Sequence, residues 1–139
     1  MTATTEPDPN LTAATHELMP YTKLIGLEVL AASAEEVRAR LAWAEERCTS
    51  NGIMHGGALM SMADAVGAMV AVANLPEGAS GTSTISSATN FLRALRSGYA
   101  HSVSRPLHRG RTTIVVDTEL RDDEGRLLGR VTQTQAVLS

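Results

Sequence analysis

With 139 residues, 43% of them hydrophobic and 19% charged, the chain has the size of one domain and a composition that excludes a disordered polymer. Only four residues are aromatic, so the core has to be built from Val, Leu, Ile, Ala and Met. The formal net charge of −3 argues against wholesale nucleic-acid binding, and the single cysteine, Cys48, excludes an internal disulfide and fits a reducing cytosol.

Residues 1–10 hold two prolines, two acids and three threonines and read as a disordered lead-in. They lack the positive start and apolar stretch of a signal peptide, and no run approaches the ~20 apolar residues of a membrane span. A cytoplasmic protein without membrane partners is expected. Asn10 or Thr12 can cap a short helix through Met19, which Pro20 stops. Ile25 to Ala32 is apolar enough for a strand. The stretch Ala34 to Arg47 is rich in helix formers, yet Val37, Ala39, Leu41 and Trp43 alternate with Arg38, Arg40 and Ala42 as in a half-buried strand. Periodicity leaves both open. Cys48 reads as a small buried or half-buried hydrophobe.

From His55 to Asn74 the sequence HGGALMSMADAVGAMVAVAN contains no Pro and is apolar around the whole cylinder, which predicts a helix buried nearly all round. Gly56, Gly57 and Gly67 each cost about 1 kcal/mol at interior helix positions, but glycines at a helix start let backbone approach a ligand. Ser80 to Leu92, Tyr99 to Leu107, Thr112 to Leu120 and Arg126 to Val137 then read as strands. Asp122-Asp123-Glu124-Gly125 makes the last hairpin turn, with Gly125 at positive φ. The order predicts an α+β fold, an antiparallel sheet wrapped around one long central helix.

The segment Gly52-Ile53-Met54-His55-Gly56-Gly57-Ala58-Leu59, with Asp64 nine residues after His55, resembles the hotdog-fold acyl-CoA thioesterases of the phenylacetate-degradation (PaaI-like) type. The likeness continues at Asn90-Phe91-Leu92-Arg93, at Arg105-Pro106-Leu107-His108-Arg109-Gly110-Arg111 and at Asp123-Glu124-Gly125-Arg126-Leu127, and covers roughly residues 20–138. It implies a lead-in and short helix over residues 1–19, a hotdog domain over 20–139, and a strand from Val37 to Trp43.

The resemblance also assigns roles. The Gly56 N–H at the helix N-terminus would stabilise the carbonyl oxygen as it gains charge. Asp64 would activate water or attack the carbonyl itself. Thr84 matches a hydroxyl that orients the acid or the water, although an ordinary strand threonine reads the same way. His55 is either catalytic or a structural residue of the helix entry. With no second ligand at metal spacing it does not suggest zinc, and no cofactor is expected beyond the coenzyme A of the substrate. Gly56 and Asp64 lie eight residues apart, about 12 Å along one helix, too far for one thioester carbon to touch both. The family's answer is a homodimer that pairs one subunit's donor with the other's carboxylate, and a dimer of dimers, a homotetramer, is the assembly expected here.

Arg93, Arg105, His108, Arg109 and Arg111 form a basic group that is either solvated surface charge or a site for coenzyme A phosphates. The resemblance places Phe91, Leu92, Arg93 and Ala94, with His108, Arg109, Gly110, Arg111 and Thr112, along that nucleotide. Met54, Met60, Met62 and Met69 fill the core or line an acyl pocket. One departure stands out. Relatives carry Asn or Gln six residues before the His, where this chain has Thr49, with Asn51 close by. The expected function is hydrolysis of acyl-CoA, the alternative a weakly catalytic or non-catalytic acyl-CoA-binding protein. A hydratase would want a His base in place of an acid deep in the helix.

Overall fold

The computed structural model describes residues 4–139, so the first three residues of the expected lead-in lie outside the described residues. Asp8 begins the first helix, α1 (Pro9–Leu18): its Oδ1 accepts from Asn10 N at 2.8 Å and Leu11 N at 3.1 Å, and Pro9 occupies the first turn, where a missing N–H is harmless. The cap is therefore neither Asn10 nor Thr12. Thr12 instead exchanges hydrogen bonds with the Val29 backbone, accepting at 2.9 Å and donating at 3.3 Å. Pro20 stops α1 and also starts α2 (Pro20–Ile25), which Gly26 ends at φ 78°. That second helix takes the front of the expected strand, so β1 is shorter, Glu28–Ala32.

β2 (Val37–Ala42) buries Val37, Ala39 and Leu41 and leaves Arg38 and Arg40 half-exposed. Sheet context thus overrides the helix propensity of this stretch. Cys48 is half-buried beside two short 3₁₀ turns, Glu45–Arg47 and Ser50–Gly52, that lead into the central helix, α3 (Gly56–Ala73). The remaining strands are β3 (Gly81–Phe91), β4 (Tyr99–Arg109), β5 (Thr113–Arg121) and β6 (Leu127–Leu138). All pairings are antiparallel, in the order β1-β2-β4-β5-β6-β3, so the connection through α3 carries the chain from one side of the sheet to its far edge. Irregularities at Val29/Ala31, Thr84/Ser86, Pro106/His108 and Leu120/Arg121 bend the strands, and the sheet curls around the helix. This is the hotdog architecture.

α3 seats Leu59, Met62, Ala63, Val66, Gly67, Val70 and Ala71 on the sheet, the i, i+3, i+4 stripe of a core-facing helix. By length and composition it could also cross a membrane, but here it is the core of the curled sheet. Contrary to the sequence expectation, α3 is not buried all round. Met60, Asp64 and Val72 are exposed along its other side, with Gly57, Ser61 and Ala68 half-buried between them. β3 is likewise open over most of its length, and its outer edge pairs with no strand of the described residues. The strand richest in small Ser and Thr residues is therefore the most open one of the sheet.

Candidate active site

His55 sits outside the first turn of α3 in extended conformation and caps it: its Nδ1 accepts from Gly57 N at 2.7 Å, and its carbonyl accepts from Ala58 N and Leu59 N. The first-turn donors are thereby occupied except one. Among the described residues the Gly56 N–H finds no acceptor, at the positive end of an 18-residue helix. Two turns on, Asp64 emerges in the middle of the open side of α3. The Thr84 hydroxyl donates to Asp64 Oδ1 at 3.4 Å, bringing β3 to the carboxylate.

Gly56 and Asp64 open onto different clefts. Gly56 lies in one of about 430 Å³ with Thr49, Leu59 and the backbone turn from Phe91 to Leu95. Asp64 lies in another of about 600 Å³ whose walls are Met19, Tyr21 and Thr22 on one side, Gly57, Met60, Ser61 and Ala68 along the helix, and Ser87 from β3. Sheet register separates them as well. Thr84 stands in a row with Gln135, Ile114 and Arg109, while Phe91 stands in a row with Gly129, Leu120 and Ser102. Seven residues of β3 part the two rows, roughly 20 Å. The family model described as Thioesterase superfamily matches residues 51–128, more than half of the chain and the part that carries Gly56, Asp64 and Thr84. The chain belongs to the thioesterase superfamily.

Relatives agree with this placement. The Pseudomonas aeruginosa esterase PA1618 is 31% identical over 103 residues, 74% of this chain and 71% of that protein. A crystal structure of a variant of PA1618, there called a thioesterase, superposes with a TM-score of 0.85 at 28% identity, covering 99% of both chains. The 1,4-dihydroxy-2-naphthoyl-CoA hydrolase of Escherichia coli is 33% identical over 87 residues, 63% of each protein. A Streptococcus pneumoniae thioesterase protein solved with coenzyme A shares the fold, with a TM-score of 0.74 at 24% identity over 81% of this chain and 86% of that one.

The other residues singled out in the sequence divide between the two ends of this thioesterase. Phe91, Leu92, Arg93 and Ala94 line the Gly56 cleft together with Thr49. Asn51 does not; it holds a left-handed turn at φ 64° and is exposed. His108, Arg109, Gly110, Arg111 and Thr112 form the β4–β5 turn at the opposite end, in the row of Thr84. Gly110 lets that turn close: a side-chain carbon there would stand 2.7 Å from Thr113 O and 2.6 Å from His108 Nε2. Among the described residues Arg93, Arg109 and Arg111 make no ion pair, whereas Arg105 is held by Glu36 at 2.7 Å. The basic group of the sequence is thus not one patch in a single chain. Met54 and Met62 are core, Met60 lines the Asp64 cleft, and Met69 packs at the core margin. Among the described residues no group of three or more His, Cys, Asp or Glu side chains is placed to hold a metal ion.

Sequence reading missed Gln133 and Gln135. Both side chains are fully buried on β6, beneath α3. The available signal was their phase: alternation inward from Val131 puts both on the core side.

Proposed function

We propose that this thioesterase hydrolyses acyl-coenzyme A at two composite sites of a homodimer, each joining the Gly56 cleft of one subunit to the Asp64 cleft of the other. The observation that carries this reading is the separation of the two groups. The N–H donor and the exposed carboxylate open onto different clefts, one against Phe91 at the end of β3 and the other against Ser87 in its middle, and neither cleft alone holds the parts of a hydrolase. Among the described residues the outer edge of β3 pairs with no strand, the feature that recruits another strand. Antiparallel pairing of two β3 strands about Ser87 and Ala88 sets the Thr84 end of one against the Phe91 end of the other. The same operation brings the Arg109–Thr112 turn of one subunit toward Arg93 of its partner, so the split basic group is reunited over one ligand. The E. coli relative's name and the coenzyme A in the S. pneumoniae structure support a coenzyme A thioester as substrate. Two such dimers would build a tetramer.

In the composite site the thioester carbonyl points at Gly56 N–H. Asp64 takes a proton from water as it attacks the carbonyl carbon, or attacks that carbon itself. The carbonyl electron pair moves onto oxygen, where the N–H and the helix dipole stabilise it. Collapse re-forms the double bond and breaks C–S, and the thiolate leaves and is protonated. Water then releases the acid from Asp64 if the carboxylate was the nucleophile.

Thiol release from a panel of acyl-CoAs tests the activity, and two dead variants test the shared site. Asp64→Asn and Gly56→Val should each abolish hydrolysis as homodimers. Co-refolded, they should regain about a quarter of wild-type activity, because half the dimers are mixed and each mixed dimer keeps one intact site. Absence of thiol release from every acyl-CoA, or Asp64→Asn within threefold of wild type, would refute the hydrolase reading. Failure of the mixture to regain activity would refute the shared site.

A further inference from the structure

Beneath Asp64 runs a ladder of buried amides whose direction can be read without ambiguity. Ala63 O, one residue before Asp64, is a carbonyl and can only accept, and Gln133 Nε2 donates to it at 2.7 Å. That bond fixes which way the Gln133 amide faces, so its Oε1 points along β6 and accepts from Gln135 Nε2 at 2.9 Å. The second hydrogen of Gln135 Nε2 is directed to Thr84 Oγ1 at 2.8 Å. With a donor already aimed at its oxygen, the Thr84 hydroxyl sends its single proton onward to Asp64 Oδ1. The glycine in the middle of α3 belongs to the same device. A side-chain carbon at Gly67 would stand 2.6 Å from Gln133 Oε1 and 2.7 Å from its Nε2, so the helix gives up stability there to admit the amide.

We propose that Gln135, held in orientation by Gln133, is a positioning residue for thioester hydrolysis: it commits the Thr84 proton to Asp64 and so holds the carboxylate in one orientation toward the substrate. The inference rests on Asp64 being the reacting carboxylate. Two fully buried side-chain amides are costly unless hydrogen-bonded, and the bonds of this pair run from Ala63 O through Gln133 and Gln135 to Thr84, which is bonded to Asp64. An apolar pair of the same size would pack under α3 without these bonds.

The test is a double-mutant cycle on kcat with KM measured alongside. Gln135→Leu should lower kcat about tenfold with KM within about twofold, because Thr84 is then free to turn away from the carboxylate. In a Thr84→Val background the same substitution should add nothing, since its effect runs through that hydroxyl. A folded Gln135→Leu with wild-type kcat, or a loss additive to that of Thr84→Val, would overturn the proposal. If Gln135→Leu does not fold, Thr84→Val and Thr84→Ser decide: kcat should fall about tenfold in the first and stay within about twofold in the second, and a wild-type kcat in both overturns it. Full activity in Asp64→Asn would sink the hydrolase reading along with this one, whereas an inactive Asp64→Asn beside a wild-type-like Gln135→Leu sinks this one alone.

Discussion

The Phe91 ring lies so close over Gly56 that a side-chain carbon on the glycine would stand 2.9 Å from Phe91 Cζ. This contact ties the first residue of α3 to the end of β3 and leaves the Gly56 N–H at the floor of its cleft. Gly56→Ala keeps that N–H but crowds it. The half-exposed Phe91 can swing aside, so the fold should survive while a carbonyl no longer reaches the donor. We expect kcat to fall on the order of tenfold, about 1.4 kcal/mol of transition-state stabilisation, with unchanged circular dichroism. Activity at the wild-type level would show that the donor is elsewhere.

The β4–β5 turn carries the next expectation. Arg109 and Arg111 have no carboxylate partner among the described residues and stand at the Asp64 end of the sheet. Arg109→Ala with Arg111→Ala should raise KM for acyl-CoA several-fold while sparing N-acetylcysteamine thioesters, which lack the nucleotide. Equal loss on both substrates would mean that the two arginines act through folding.

Stability against acid should depend on Asp122. Burial disfavours its ionised form, but this is outweighed by the Arg126 N–H and guanidinium, both at 2.8 Å, and by Glu124 N at 3.0 Å, which together hold the carboxyl below its ordinary range. A pKa lower folded than unfolded means that this group's contribution is complete above the ordinary carboxylate range, near 4, and is lost as the pH falls through the folded value. Urea midpoints of wild type and Asp122→Asn should differ most at neutral pH and converge in acid. A gap constant with pH would exclude the charge as its cause.

Much of this fold is legible in the residues themselves. The apolar run of α3 marks the core helix, whereas alternation along Val37–Leu41 only balances local helix propensity and needs the family resemblance to be read as a strand. The second role of Pro20 is not legible, since a proline that ends one helix is equally fitted to begin another. Nor is the open side of α3 around Asp64. A stripe of Gly, Met, Ser and Ala reads as core in a sequence, whether the surface that covers it comes from the same chain or from a second one. The amide ladder hides for a related reason, because Thr-Gln-Thr-Gln in β6 looks like a solvated strand until its phase is counted from Val131.

The upstream loop allows a sharper test, because the structure separates its two candidate residues. Thr49 lines the cleft of Gly56, whereas Asn51 is exposed and sits at φ 64°, a conformation that asparagine tolerates better than most residues. Asn51 therefore has a backbone reason to be there and no view of the cleft. Asn51→Ala should lower stability by about 1 kcal/mol, because alanine lacks the short polar side chain that eases the left-handed conformation, without changing kcat. Asn51→Gly should change neither. Thr49→Gln should act on the chemistry: a longer amide extends into the cleft where the family resemblance implies one, and its N–H can meet the attacking water or, in the proposed dimer, the carboxylate of the partner. One added hydrogen bond in the transition state is worth up to about 1.4 kcal/mol, so kcat on the best acyl-CoA should rise by as much as about tenfold. A fall in kcat for Asn51→Ala at full fold would reassign the amide role to Asn51. An unchanged kcat in Thr49→Gln would show that this site completes hydrolysis without an amide, with the Thr84 hydroxyl as the remaining polar partner of Asp64.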